Sequence, residues 1–251
     1  MGHIHKSLPW AMKAALRVVY PPQCLSCGAG VDRDGTLCPL CWRDCEFITG
    51  CACTRCGLPL PLPGAGEAGD DLLCDDCLVT DRPWQAGRAA VAYRGIGRDL
   101  VLALKHGDRP DLAGPLGEWL ARAAGPLIAA DMLVVPIPLH PRRLLKRKYN
   151  QAALLSARLA AACGLRHAPG LLRRIRATPA QDHRSHAERY ENLRGAFAVP
   201  PRFRDQIKGR AVLLVDDVMA SGASMTAATR ALQAVGAGAV SVAVLARAMK
   251  D

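Results

Sequence analysis

Aromatic residues are scarce, with three Phe, four Tyr and four Trp among 251 positions. A stacking platform for a nucleobase cannot be picked out from so few. Long apolar runs are missing as well: no window approaches the roughly eighteen uninterrupted apolar residues that a membrane span needs. The nearest candidate, residues 7–20 (SLPWAMKAALRVVY), is broken by Lys13 and Arg17, and no small-residue cleavage site follows before Pro21-Pro22. Residues 1–22 are expected to form a short amphipathic helix, in a chain kept in the reducing cytoplasm. Cysteine, finally, is almost absent from the back of the chain, where Cys163 stands alone.

The other ten cysteines lie between Cys24 and Cys77, and the charge balance changes close to the same boundary. The first 80 residues hold 6 basic and 9 acidic side chains, whereas the remainder holds 27 and 13. Two unlike parts are expected, a cysteine block over 23–82 and a basic domain over 83–251. Half of the residues are apolar, enough for a sizeable core. That core is expected to belong to the second part alone.

The cysteine block contains an internal repeat. It runs Cys24-Leu-Ser-Cys27-Gly28, nine residues, Cys38-Pro-Leu-Cys41, then Cys53-Thr-Arg-Cys56-Gly57, sixteen residues, Cys74-Asp-Asp-Cys77. A glycine after each first pair suits a knuckle that turns backbone amides toward two sulfurs. Four thiolates suit one tetrahedral ion, so the sets 24, 27, 38, 41 and 53, 56, 74, 77 predict two structural zinc sites. Free thiols and an iron–sulfur centre are the alternatives, because thiolates alone do not exclude iron. Cys45 and Cys51 are spare.

After about Pro83, short apolar runs alternate with helix-length segments. Strands are expected at Arg88–Tyr93, Met132–Pro136, Ala211–Val215 and Ala239–Ala246, with a short one near Leu171. Helices are expected near Gly97–Lys105, Leu112–Ala124, Asn150–Cys163 and Ser224–Val235. This pattern predicts an α/β fold built on a mainly parallel sheet, which binds ligands at the carboxyl ends of its strands.

Asp216 and Asp217 are expected where one such strand stops, in AVLLVDDVMASGASM. The small-residue loop Ala220-Ser221-Gly222-Ala223-Ser224 follows and leads into a helix. Loop amides and the positive helix end favour a phosphate. The acidic pair instead suits vicinal sugar hydroxyls, with magnesium near by to offset charge. A plain strand end and helix cap is the alternative.

These residues resemble the signature of type I phosphoribosyltransferases. The resemblance implies that Asp216 and Asp217 hold the ribose hydroxyls of phosphoribosyl pyrophosphate and that residues 220–224 cradle its 5′-phosphate. Ala220 departs from it, since the family more often has threonine there. Further segments narrow the match: LKHGDRPDLAGPLG (104–117), VPIPLHPRRLLKRKYNQA (135–152), TPAQ (178–181) and RYENLRGAF (189–197). With the cysteine repeats in front, the chain resembles the ComF family, a phosphoribosyltransferase-like domain behind a double zinc ribbon. The family usually reads Arg-Gly-Phe-Asn-Gln where this chain has Arg147-Lys148-Tyr149-Asn150-Gln151. The family association implies natural transformation and DNA uptake.

Residues 142–148 (RRLLKRK) hold five bases in seven, just after a strand that should end beside Asp216. Arg142, Arg143, Lys146 and Arg147 are candidates for pyrophosphate, against a merely solvated basic face. Lys105 is a further candidate, although a lysine at a helix end also favours the dipole. The charged stretch 173–194 is expected to be either a loop that closes over a diphosphate or an exposed segment.

Three functions fit: phosphoribosyl transfer to an unidentified acceptor, as in nucleobase salvage; binding of single-stranded DNA, alongside DNA-uptake proteins; and a sensor that keeps the site without turnover. DNA uptake with bound phosphoribosyl pyrophosphate is the reading the sequence favours.

Overall fold

The computed structural model describes residues 20–61, 72–177 and 186–249, without the side chains of residues 186, 187 and 189. The expected N-terminal helix and the TPAQ segment lie outside the described residues. Each cysteine repeat ends in a short helix, α1 (Pro39–Asp44) and α2 (Asp75–Val79), with Cys38 or Cys74 at its N-cap. The chain continues through β1 (Ala86–Ala92), α3 (Gly95–His106), α4 (Ala113–Ala124), β2 (Leu133–Pro136), α5 (Pro141–Arg147), α6 (Gln151–Cys163), β3 (Arg166–His167) and β4 (Arg173–Arg174). It closes with α7 (His186–Leu193), β5 (Phe197–Ala198), α8 (Arg204–Ile207), β6 (Val212–Met219), α9 (Ala223–Gln233) and β7 (Val240–Arg247).

Strands β1, β7, β6, β2 and β3 form one parallel sheet in that order. The α/β expectation therefore holds. Alternation along the strands divides their side chains between two cores. Val134, Leu213, Val215, Ala243 and Leu245 join Leu100 of α3, Leu120 of α4 and Leu155 and Leu159 of α6. Leu133, Val135, Val212, Leu214, Val242 and Val244 face the other way, toward Leu193 of α7 and Met225, Ala228 and Leu232 of α9.

Both cores include cysteines of the repeats, which corrects the expectation of a separate core. Cys24, Cys38, Cys41 and Cys45 belong to the first core, and Cys53, Cys56, Cys74 and Cys77 to the second. The two repeats straddle the edge strand β1, one on each face of the sheet. The residues between them lie along that edge: Ile48 N–H donates to Ala90 O, and Ala92 N–H to Glu46 O, both at 2.9 Å. An open strand edge is thereby covered. Domains this small bury too little apolar surface alone, and packing on the sheet supplies the remainder.

Other boundaries shift for local reasons. β6 runs on past Val215 to Met219, because β7 keeps pairing with it (Asp216 opposite Val244, Met219 opposite Arg247). The acidic pair is thus inside a strand, not after it. The strand expected near Leu171 forms two residues later, as the antiparallel pair β4–β5, while Leu171 and Leu172 are buried in front of it. The basic run after β2 becomes helix α5, started by Pro141 and by His140 Nδ1 accepting the Arg142 N–H. The stretch 173–194, expected to be wholly polar surface or loop, contains helix α7 and the fully buried Leu193.

Candidate functional site

Beyond β2 the chain moves toward β3, whereas beyond β6 it moves toward β7. The carboxyl ends of β2 and β6 therefore flank the point where connections diverge, the usual ligand crevice of an open parallel sheet. A cleft of about 700 Å³ opens there. Asp216 and Asp217 line it together with Lys105, Arg143, Lys146, Arg147 and Ser224.

The two carboxylates differ in environment. Asp217 is buried, and its Oδ2 lies 3.1 Å from Lys105 Nζ. Asp216 accepts the Asp217 N–H at 2.9 Å. Burial pushes the Asp216 carboxyl up to about 8; the neighbouring Asp217 adds to the rise, and Lys105 opposes it. Asp216 thus holds a proton that a cation or a hydrogen-bonding ligand would displace.

Opposite stands α5. Arg143 and Arg147, four residues apart, share one helical face and line the cleft with Lys146. Arg142 is exposed and is not among the lining residues. Of the loop 220–224, only Ser224 lines the cleft. Ala220 and Ser221 face a second cavity beside the second cysteine repeat, and Ser221 is buried with its hydroxyl 3.4 Å from the Ala223 N–H. Gly222 has φ +80°, and a Cβ there would stand 2.9 Å from Arg82 Nη1 and 3.1 Å from the Trp84 ring. Packing demands this glycine.

Asp108, Lys148 and Arg174 also line the cleft; the sequence placed Lys148 only within the basic run and Arg174 only within the charged stretch, and gave Asp108 no role. Asp108 lies in the LKHGD segment (104–108) that carries part of the family resemblance, so a signal existed. Arg174 is buried, and burial lowers its basicity, with Arg143 adding to the effect and Asp216 opposing it. Nothing in its charged surroundings marks it in sequence. Asp108 and Lys148 form an ion pair at 2.8 Å, and both have positive φ, 48° and 66°. Lys148 occupies the position where the resemblance expects glycine, and its backbone takes a conformation that favours glycine.

Tyr149, Asn150 and Gln151 act as a clasp for this wall. Tyr149 Oη donates to Leu104 O at 2.8 Å, Asn150 Nδ2 to Ile137 O at 3.0 Å, and Gln151 Nε2 to Lys105 O at 3.4 Å. Asn150 Oδ1 also caps α6 by accepting the Ala152 N–H.

The eight predicted cysteine ligands meet in two clusters, paired sequentially: Cys24, Cys27, Cys38, Cys41 and Cys53, Cys56, Cys74, Cys77. Within each cluster all four Sγ atoms lie within 4.8 Å of one another. The Cys27–Cys38 and Cys56–Cys74 sulfurs are 3.7 and 3.6 Å apart, close to the roughly 3.8 Å edge of a tetrahedron with about 2.3 Å zinc–sulfur bonds. Gly28 and Gly57 have φ of 74° and 69°, as the knuckle requires. Cys38 N–H points at Cys24 Sγ from 3.2 Å. The donor sets fit one ion each. Cys45 is buried outside them, and burial, helped by Glu46, raises its thiol to about 11.

Residues 15–78 match the double zinc ribbon domain family, and residues 172–251 match the phosphoribosyl transferase domain family. The chain is 29% identical over 248 residues to the DNA utilization protein YhgH of Salmonella typhimurium, covering 96% of this chain and 97% of that protein. It is also 29% identical over 248 residues to YhgH of Escherichia coli K12, with the same coverage. Competence protein F of Haemophilus influenzae is 32% identical over 115 residues, 46% of this chain and half of that protein. A double zinc ribbon followed by a phosphoribosyl transferase domain, with YhgH and competence protein F as relatives, supports the ComF family.

Glutamine phosphoribosylpyrophosphate amidotransferase from B. subtilis, solved with ADP and GMP, is similar over 57% of this chain and 30% of that one, at 21% identity and a TM-score of 0.38. In this chain the ribbons, the parallel sheet and the acidic strand occur together, and the two four-cysteine clusters suggest about two zinc sites. Among the described residues no helix is long and apolar enough to cross a membrane.

Proposed function

We propose that the cleft binds phosphoribosyl pyrophosphate with magnesium, in a protein that acts in DNA uptake or handling. The observation that carries this is the meeting, at one divergence point of the sheet, of the acidic pair on β6, the start of α9 and the basic face of α5. Ionised Asp216 and Asp217 accept hydrogen bonds from the ribose 2′ and 3′ hydroxyls. Ser224 and the first amides of α9 take the 5′-phosphate. Arg143, Lys146 and Arg147 face the pyrophosphate, and Lys105 moves between Asp217 and the same oxygens. Magnesium supplies charge neutralisation at the pyrophosphate.

Among the described lining residues the one aromatic ring is the imidazole of His106, with no Phe, Tyr or Trp, which marks no seat for a planar base. The names of the YhgH and competence relatives favour binding in the service of DNA handling over nucleobase salvage.

Calorimetric titration with phosphoribosyl pyrophosphate and magnesium tests the ligand. Asp216→Asn with Asp217→Asn should weaken binding by about 1.5–3 kcal/mol per lost charged hydrogen bond; unchanged affinity rejects the assignment. For DNA, log affinity for a single strand should fall linearly with log salt, at roughly 0.7 per neutralised phosphate. Reversing Arg143, Lys146 and Arg147 should flatten that slope. An unaltered slope assigns the DNA role to other surfaces or proteins.

A further inference from the structure

Arg82 and Arg247 are 4% and 2% exposed. Arg247, the last residue of β7, donates from Nη1 to Met219 O at 3.0 Å, Ala220 O at 2.8 Å and Ala248 O at 2.7 Å. Its Nη2 lies 3.7 Å from Cys56 Sγ. Arg82 donates from Nη1 to Ser221 O at 2.7 Å and to Tyr190 Oη, and its charge is favoured by the nearby Cys77 and Cys56. Tyr190 Oη itself donates to Ser221 O at 2.8 Å. Arg247 thus touches a sulfur of the second cluster on one side and carbonyls of residues 219–221 on the other, and Arg82 holds the Ser221 carbonyl of the same turn while its charge faces the same cluster. Those carbonyls belong to the turn that joins the acidic strand β6 to α9.

Charge explains the arrangement. Four thiolates around one divalent ion leave two net negative charges, and burying them without partners is strongly unfavourable. The first cluster has Cys27 at the surface, where water screens it. The second is wholly buried, and two buried guanidiniums answer its charge. Arginine suits the task because its flat fork serves several acceptors at once. The Nε of each arginine finds no partner in the structure, so the side chains are held through their outer nitrogens alone.

We propose that the second four-cysteine site, acting through Arg82 and Arg247 as positioning residues, sets the conformation of the 219–222 turn and hence the start of α9 at the cleft. The metal centre and the cleft are then coupled. Whatever stabilises one stabilises the other by the same factor. The coupling to a ligand rests on the cleft being the phosphoribosyl pyrophosphate site; the coupling of metal to turn does not.

The test uses the full metal-loaded chain in two arms. Without ligand, hydrogen exchange is followed in peptides spanning residues 219–226, and zinc loss is followed with a chromogenic chelator. Arg247→Met and Arg82→Met should each speed exchange of the turn and release of one of the two zincs by at least about fivefold, while peptides over 24–41 exchange as in the parent. Arg247→Lys, which keeps the charge but not the fork, should fall between. Should these variants not fold, partial chelation of the unaltered chain replaces them: loss of the second zinc must deprotect the turn. Turn exchange indifferent to the second zinc, or arginine variants that leave both rates unchanged, would overturn the proposal. In the other arm, saturating phosphoribosyl pyrophosphate with magnesium should slow release of one zinc only. If it slows neither while the first arm succeeds, the positioning role stands and the ligand reading of the cleft falls.

Discussion

Lys105 Nζ and Asp217 Oδ2 lie 3.1 Å apart, joining the end of α3 to β6 across the cleft. Both side chains are largely enclosed, at 18% and 11% exposure. One carboxylate of the acidic pair is thus already matched by a cation, while burial keeps its neighbour Asp216 protonated up to about pH 8. Adjacent identical residues have been given different tasks by their surroundings.

Lys105→Met leaves Asp217 enclosed without its cation and should lower stability by up to about 3 kcal/mol. Combining it with Asp217→Asn should recover most of that loss. Urea unfolding of the two single variants and the double variant measures the coupling, and additive losses would contradict the pairing.

Asp216 gives stability a defined pH dependence. Its carboxyl ionises near 3.8 when unfolded but near 8 in the folded chain. The folded state therefore binds more protons between these values, so stability falls as pH rises through the window and is lowest above it. Asp216→Asn should gain on the parent above pH 8 and match it below pH 4. A difference independent of pH refutes the raised value. Calorimetry in buffers of different ionisation enthalpy should also detect proton release when magnesium and phosphoribosyl pyrophosphate bind near neutral pH.

Gly28 and Gly57 occupy equivalent places in the repeat but not in space. A Cβ at Gly28 meets nothing within 4 Å, whereas one at Gly57 would stand 2.6 Å from Ala89 N. Gly28→Ala should cost about 1–2 kcal/mol for its left-handed φ. Gly57→Ala should cost clearly more, because β1 would have to move. Thermal unfolding compares them directly, and equal costs would separate the second ribbon from the sheet.

Lys148 is expected to tolerate glycine better than alanine. Lys148→Ala keeps the positive φ and loses the Asp108 pair, whereas Lys148→Gly relieves the backbone by about 1 kcal/mol. The exposed ion pair is worth little in either case. A glycine variant less stable than the alanine variant argues against backbone strain.

Protein purified without added metal should contain about two zinc ions per chain by elemental analysis. An iron–sulfur absorption band, or near-zero zinc, rejects this assignment. Because both clusters belong to the sheet's cores, stripping the metal should lower the unfolding temperature of the entire described fold in one transition. A sheet that melts unchanged would restore the picture of separate cores.

The cysteine sets were legible because their spacing alone brings four soft donors within reach of one ion, whatever surrounds them. The buried strands β6 and β7 were legible because uninterrupted apolar runs have few other stable fates. Asp216 and Asp217 stood out by interrupting such a run, and the basic run after β2 stood out by its density. Tertiary structure decided the rest. The alternation of β1 side chains gives each ribbon a different face of the sheet, which no spacing within the ribbons encodes. The pairing partner β7 carries β6 through its two aspartates, and Lys105, more than a hundred residues earlier, separates their roles. Nothing in the sequence sets Arg82 and Arg247 apart from the other basic residues. These two are buried because a cluster of sulfurs and a row of carbonyls, drawn from distant segments, meet only in the folded chain and there require cations.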